Sequence, residues 1–167
     1  MRNVKQDDFT RRLLPGASLP DGSALVSGLR CQLWCRVSGD IRYLDGNQHT
    51  GTVQTLAEDL AQQPQFTGVN WVLEARPDGL WALLNQGDPN FALIGTGTDV
   101  RLGRLNPQTT RDATAEWIVY VSDQGKLLLR PVLGEWLIAE DNTGGVALGR
   151  CSAADTAKSL WTVTPRA

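Results

Sequence analysis

Apolar residues along this chain come in short runs separated by turn chemistry. Leu80-Trp81-Ala82-Leu83-Leu84 follows the turn Arg76-Pro77-Asp78-Gly79, and Lys126-Leu127-Leu128-Leu129 follows Ser122-Asp123-Gln124-Gly125. Runs of this length, bounded by Gly, Asp and Asn, predict β-strands rather than helices. Ala57–Gln63 has the composition of one helical turn, and no convincing amphipathic helix occurs elsewhere.

The pattern repeats. Trp71, Trp117 and Trp161 recur at intervals of 46 and 44 residues, and the first two are each followed eight residues later by a turn glycine, Gly79 and Gly125. An apolar column aligns as Leu44, Phe91 and Leu137, and nine residues beyond each lie Val53, Val100 and Val146. Each valine opens a short strand after a Gly/Thr turn, as in His49-Thr50-Gly51-Thr52. In the first repeat the strand near Leu29–Arg36 aligns ambiguously, with extra residues around Val37-Ser38-Gly39-Asp40. Each repeat therefore offers about four strands, and three repeats about twelve. An all-β, threefold, closed architecture follows: a β-trefoil, in which closure removes exposed sheet edges. Residues 28–167 hold the repeats. Residues 1–27 read as an irregular leader, with Phe9, Leu13 and Leu14 to dock it on the barrel.

Composition narrows the function. Sixteen Lys+Arg against 18 Asp+Glu gives a net charge of −2. That balance argues against a nucleic-acid binder, which normally carries a basic excess. No stretch reaches membrane-span length, and no apolar run follows Met1–Asp8. The expectation is a cytoplasmic protein, or one exported without a classical signal peptide. Cys31, Cys35 and Cys151 are an odd count, with no CxxC and His49 as the sole histidine. They predict buried thiols, and neither a metal site nor a cofactor. No nucleophile motif, phosphate loop or HExxH occurs, so the chain is expected to bind rather than catalyse.

Strand alternation singles out aromatic residues. If the Leu44/Phe91/Leu137 column points inward, Tyr43 and Trp136 point outward, as does Trp34 beside Leu33. Sugar recognition needs an apolar ring face beside carboxylates or amides that take hydroxyls. Tyr43 is the candidate stacking surface, with Asp45 and Asn47 as hydroxyl partners and His49 in support. Trp136, Asp141 and Asn142 form the second candidate set. Arginine outnumbers lysine 13 to 3. Arg101, Arg104, Arg111, Arg130 and Arg150 form either an anion-recognising face or solvated surface.

Trp71-Val72-Leu73-Glu74 and Gly134-Glu135-Trp136-Leu137-Ile138-Ala139 resemble stretches of fascin-like trefoils. The tryptophan-to-turn-glycine unit resembles the repeat of ricin-B-type lectins. The resemblance covers roughly residues 28–164 and implies the β-trefoil fold. Asp45 matches the galactose-binding aspartate of ricin-B-type repeats, whereas the corresponding Ala92 and Ile138 do not. The family's glutamine before the tryptophan is replaced by Val69, Ala115 and Ser159, and its stacking aromatic falls near Leu56, Gly103 and Gly149. The expected function is a lectin-like module binding a carbohydrate or glycoconjugate. The alternative is a protein partner, either cytoskeletal as in fascin or a protease met by the segment Glu58–Thr67 or Asn106–Thr114. A module of a larger toxin or effector is a third reading.

Overall fold

The computed structural model describes residues 10–19, 24–86, 88–105, 113–122, 125–140, 144–149 and 156–166. Among these residues thirteen strands run in chain order. They are β1 (Thr10–Arg12), β2 (Leu29–Val37), β3 (Asp40–Asn47), β4 (Thr52–Ala57), β5 (Trp71–Arg76), β6 (Leu80–Asn85) and β7 (Asp88–Thr96). The remainder are β8 (Asp99–Arg104), β9 (Trp117–Ser122), β10 (Leu127–Pro131), β11 (Trp136–Ala139), β12 (Val146–Gly149) and β13 (Thr162–Pro165). Helix α1 (Glu58–Ala61) sits where one helical turn is expected, and a second one-turn helix, α2 (Thr156–Ser159), precedes β13. Among the described residues no helix is long and apolar enough to cross a membrane.

The strand pairings resolve the ambiguous first repeat. β5 pairs with β6 through Leu73↔Leu83, and β9 pairs with β10 through Val119↔Leu129. The matching pair in the remaining repeat is Val163↔Leu33, between β13 and β2. Strand β2 is thus the second strand of its repeat, and the first comes from residues 162–165. Each second strand then receives the tryptophan of the following repeat: Cys31↔Trp71, Trp81↔Trp117 and Leu127↔Trp161. The ladder closes on itself as β13-β2-β5-β6-β9-β10. The hairpins β3–β4, β7–β8 and β11–β12 complete twelve strands in three repeats. The residues around Ser38 form a tight hairpin turn, with φ of 52° at Ser38 and 87° at Gly39. Two left-handed residues suit the twist of a two-residue hairpin.

The interior is built on indoles. Trp71, Trp81, Trp117 and Trp161 are all completely buried. A buried indole N–H needs an acceptor, and each finds a backbone carbonyl. Trp71 Nε1 donates to Leu44 O at 3.0 Å, Trp117 Nε1 to Leu93 O at 2.9 Å and Trp161 Nε1 to Leu137 O at 3.1 Å. The equivalent column is therefore Leu44/Leu93/Leu137, and the alignment through Phe91 is corrected by two residues. The cause is the β7–β8 turn, which brings Gly95 opposite Val100, where Gly46 faces Val53 and Ala139 faces Val146. Phe91 is partly buried, with the Arg104 guanidinium 5.2 Å from its ring centre.

The segment ahead of the repeats is docked by the same device. β1 pairs with β9, Leu13 is fully buried, and Trp81 Nε1 donates to Leu13 O at 3.0 Å. Leu14 is exposed, and Phe9 lies outside the described residues. Cys31 and Cys35 are buried free thiols, each pushed up to about 12 chiefly by loss of hydration. Cys151 lies outside the described residues.

Replacing a repeat tryptophan tests this frame. Trp117→Ala removes a fully buried ring and a hydrogen bond, at an expected cost of about 3–5 kcal/mol. Trp117→Phe keeps most of the ring and orphans the Leu93 carbonyl, costing about 1–3 kcal/mol. Urea unfolding of the two variants beside the parent measures both.

Candidate functional site

Three chain segments converge on the first hairpin. Residue 45 follows directly on Leu44, whose carbonyl the Trp71 indole holds. Its cross-strand partner is Gln54 on β4. Gln54 Nε2 donates to Asp45 Oδ2 at 3.0 Å. Asp45 is 6% exposed. Burial raises its pKa above the ordinary carboxylate value, and the Gln54 hydrogen bond opposes that rise.

The β3–β4 turn makes one wall. Asn47 Oδ1 accepts from the backbone N–H of His49 at 2.9 Å and of Thr50 at 3.3 Å, an Asx-type turn. The Gly51 N–H closes the turn onto Asn47 O at 2.7 Å, and Leu102 N donates to Gly51 O at 2.9 Å, tying the tip to β8. The opposite wall is the connection from α1 to β5. It folds back through Gln63 N to Leu60 O and Phe66 N to Gln63 O, and ends in the 3-10 turn Thr67–Val69. Gly68 has to be glycine: a Cβ there would fall onto Gly46 O and Asp45 Oδ1, nearer than real Cβ contacts come. Buried Asn85, at the end of β6, bridges the two walls through Nδ2 to Gly46 O and Gly68 O, both at 3.4 Å.

Between the walls lies an open pocket of about 210 Å³. Asp45, Asn47, Gln48, His49, Gln54, Gln65, Phe66, Thr67 and Asn85 supply its side chains, with Gly46 and Gly68 at the close approach. One carboxylate, several amides and one partly buried phenyl ring meet there. Among the described residues no lysine or arginine lines it.

This placement gathers three of the residues singled out from the sequence and separates the others. Asp45, Asn47 and His49 share the pocket, with His49 exposed at its edge. The Asn47 carbonyl oxygen is taken up by the turn. Tyr43 is not the exposed ring that alternation implies: it is 6% exposed. It does leave the barrel interior, but Leu56, Ala61 and Val69 cover it, with Phe66 packed alongside. Burial raises its phenol pKa, Glu58 adds to the rise, and a hydrogen bond with Gln62 opposes it. The aromatic wall of the pocket is Phe66 instead. Its signal in the sequence is an aromatic residue just ahead of Thr67-Gly68 in the long segment before Trp71. That segment, 58–67, is laid against β3 and forms the pocket wall.

Trp136 is half-buried on the outer face of the third repeat and is not among the residues lining this pocket. Its ring meets Tyr120 edge-on at 5.3 Å, and the Arg130 guanidinium lies 5.7 Å from its centre. Asp141 and Asn142 lie outside the described residues, as do Arg111 and Arg150. Trp34 faces outward too, with Nε1 donating to Thr164 Oγ1 at 2.9 Å and Tyr43 at 6.4 Å. The hydrogen-bonded column shows which residues stand where Asp45 does: Ile94 and Ile138, not Ala92 and Ile138. Ile94 joins a closed apolar cluster with Ala82, Leu84, Ala92 and Ala115. Among the described residues no group of His, Cys, Asp and Glu is placed to hold a metal ion.

A designed 3-fold symmetric protein, ThreeFoil, superposes with a TM-score of 0.60 at 18% identity, over 80% of this chain and 96% of that one. The chain is a β-trefoil. SeviL, in its structure bound to asialo-GM1 saccharide, matches this trefoil with a TM-score of 0.59 at 15% identity, over 83% and 98% of the two chains. A GlcNAcα1-4Gal-releasing endo-β-galactosidase from Clostridium perfringens gives 0.65 at 18% identity, over 89% of this chain. The trefoil spans only 35% of that enzyme's length. At such identities the likeness is one of fold. No protein-family model and no curated protein matches the sequence.

Two measurements test the construction of the pocket. Gly68→Ala should lift the 65–69 connection off β3 and cost about 1–3 kcal/mol. Loss of amide protection at Gly68 and Val69 in hydrogen exchange would report the lift. Ionisation of Asp45 opposes folding, because its folded pKa stands above the unfolded one. Its stabilising, protonated state is present below the unfolded pKa and lost as pH rises through the folded pKa. The unfolding free energy of the parent should therefore fall relative to Asp45→Asn over that rise, as read from paired denaturation curves.

Proposed function

We propose that this trefoil is a non-catalytic carbohydrate-binding module and that the first-repeat pocket takes a single sugar ring. The observation that carries the reading is the Asp45 carboxylate, sheltered and aimed by Gln54 beside the Phe66 ring. A sugar offers vicinal hydroxyls on its rim and apolar C–H groups on its face. A carboxylate with amides beside a phenyl ring meets both demands in one small concavity. A charged acceptor makes a stronger hydrogen bond than a neutral one. The ordered walls supply the rest: with both already fixed by backbone and Asn85 hydrogen bonds, little freedom is lost on binding.

The fold supports the same reading, since one structural neighbour is described with a saccharide bound and another releases GlcNAcα1-4Gal. The isoleucines at the Asp45 position of the other two repeats favour one such site per trefoil rather than three. Among the described residues of the lining Asp45 is the single carboxylate, and glycoside hydrolysis by two carboxylates needs a partner across the bond.

A glycan array probed with the parent, Asp45→Asn and Phe66→Ala tests the proposal. The parent should bind a restricted set of glycans. Asp45→Asn should lower that binding about tenfold or more, as expected for losing a charged acceptor, while its circular dichroism and melting curve stay those of a folded chain. Binding undiminished in both folded variants, or a parent that binds no glycan, would overturn it.

A further inference from the structure

The pocket's charge and its unmatched acceptor say which sugars it accepts. Among the described residues of the lining, Asp45 is the only carboxylate, and no lysine or arginine is present. The nearest arginine along the strand, Arg42, is engaged elsewhere: its Nε donates to Thr55 Oγ1 at 3.1 Å and its Nη2 to Thr55 O at 2.9 Å. His49 stands at the exposed edge. The lining holds a second acceptor, since Gln48 Oε1 is sheltered from solvent and has no hydrogen-bond donor. An orphaned acceptor is costly, and turning the half-exposed Gln48 amide toward a ligand hydroxyl relieves it.

We infer that the pocket selects uncharged sugars, with Asp45 and Gln48 taking two hydroxyl donors from one ring, and that it rejects sugars carrying a carboxylate or sulfate. The inference rests on the sugar-binding reading above and adds the charge class and a specificity residue to it. The physics is one-sided. A hydroxyl brings a proton to each acceptor, whereas an anionic substituent brings a lone pair toward a sheltered carboxylate. Their repulsion is stronger there than in bulk water and is only partly screened by salt. Arg104 and Arg130 lie over Phe91 and Trp136 and do not line the pocket.

The test is isothermal titration with matched pairs of oligosaccharides: a neutral one, and the same one carrying a sialic acid, a uronic acid or a sulfate on its terminal ring. The parent should bind the neutral member roughly tenfold or more tightly than its acidic counterpart. Asp45→Asn should bind both weakly, with the difference between them gone. Gln48→Met keeps the length and removes the acceptor. It should lower affinity for the neutral member by about threefold to tenfold and leave the neutral-to-acidic ratio unchanged. Acidic members bound as well as neutral ones, or Gln48→Met at parental affinity, would overturn the inference while leaving sugar binding in place. Failure of every pair to bind would remove the sugar reading itself, and the inference with it.

Discussion

A buried indole N–H cannot be left without an acceptor, and this trefoil is arranged around that requirement. Each repeat tryptophan reaches back into the preceding hairpin and holds one carbonyl: Leu44, Leu93 or Leu137. Those bonds set the position of the third strand in every repeat. In the first repeat, the residue that follows the held carbonyl is Asp45. The interaction that orders the core therefore also places the pocket's Asp45 carboxylate. Asp45 thus sits on a strand held in place by that bond, rather than in a turn. At Ile94 and Ile138 the same constraint places apolar side chains, so an identical backbone yields a pocket in one repeat and apolar packing in another.

The pocket also depends on how closely two backbones approach. Gly46 packs against the Trp71 ring and Leu102, and Gly68 packs against Gly46. Side chains at either position would separate β3 from the connection leading to β5. Asn85 then ties both, donating to a carbonyl on each. These contacts come from three segments distant in sequence, and they explain how a site built partly from turns holds a defined shape.

Much of the fold is legible in the sequence because periodicity records burial. Trp71, Trp117 and Trp161 recur in phase because each performs the same packing and hydrogen-bonding task. The turn glycines recur because hairpins need them. Legibility fails where the spacing between equivalent positions changes. The β7–β8 hairpin moves the true column from Phe91 to Leu93, and a linear reading cannot see that the first strand of the first repeat lies at residues 162–165. At the site, alternation correctly turns Tyr43 out of the barrel interior. It cannot foresee that α1 and Val69 return to cover that ring. The covering segment is long and irregular, and its own aromatic, Phe66, becomes the pocket wall. Asp45, Asn47 and His49 are adjacent in sequence and so are found together. Gln65, Phe66 and Asn85 join them only through tertiary contact.

The closing of the barrel has a consequence for the order in which the molecule comes into being. Strand β13 pairs with β2, Thr162 against Trp34 and Pro165 against Cys31. The repeat that carries the pocket is thus assembled from residues made early and residues made late. On the ribosome, the pocket's own side chains emerge by residue 85, yet their repeat lacks its first strand until residue 165 has cleared the exit tunnel. The repeat that carries the pocket is thus joined up only when residues 162–165 pair with β2.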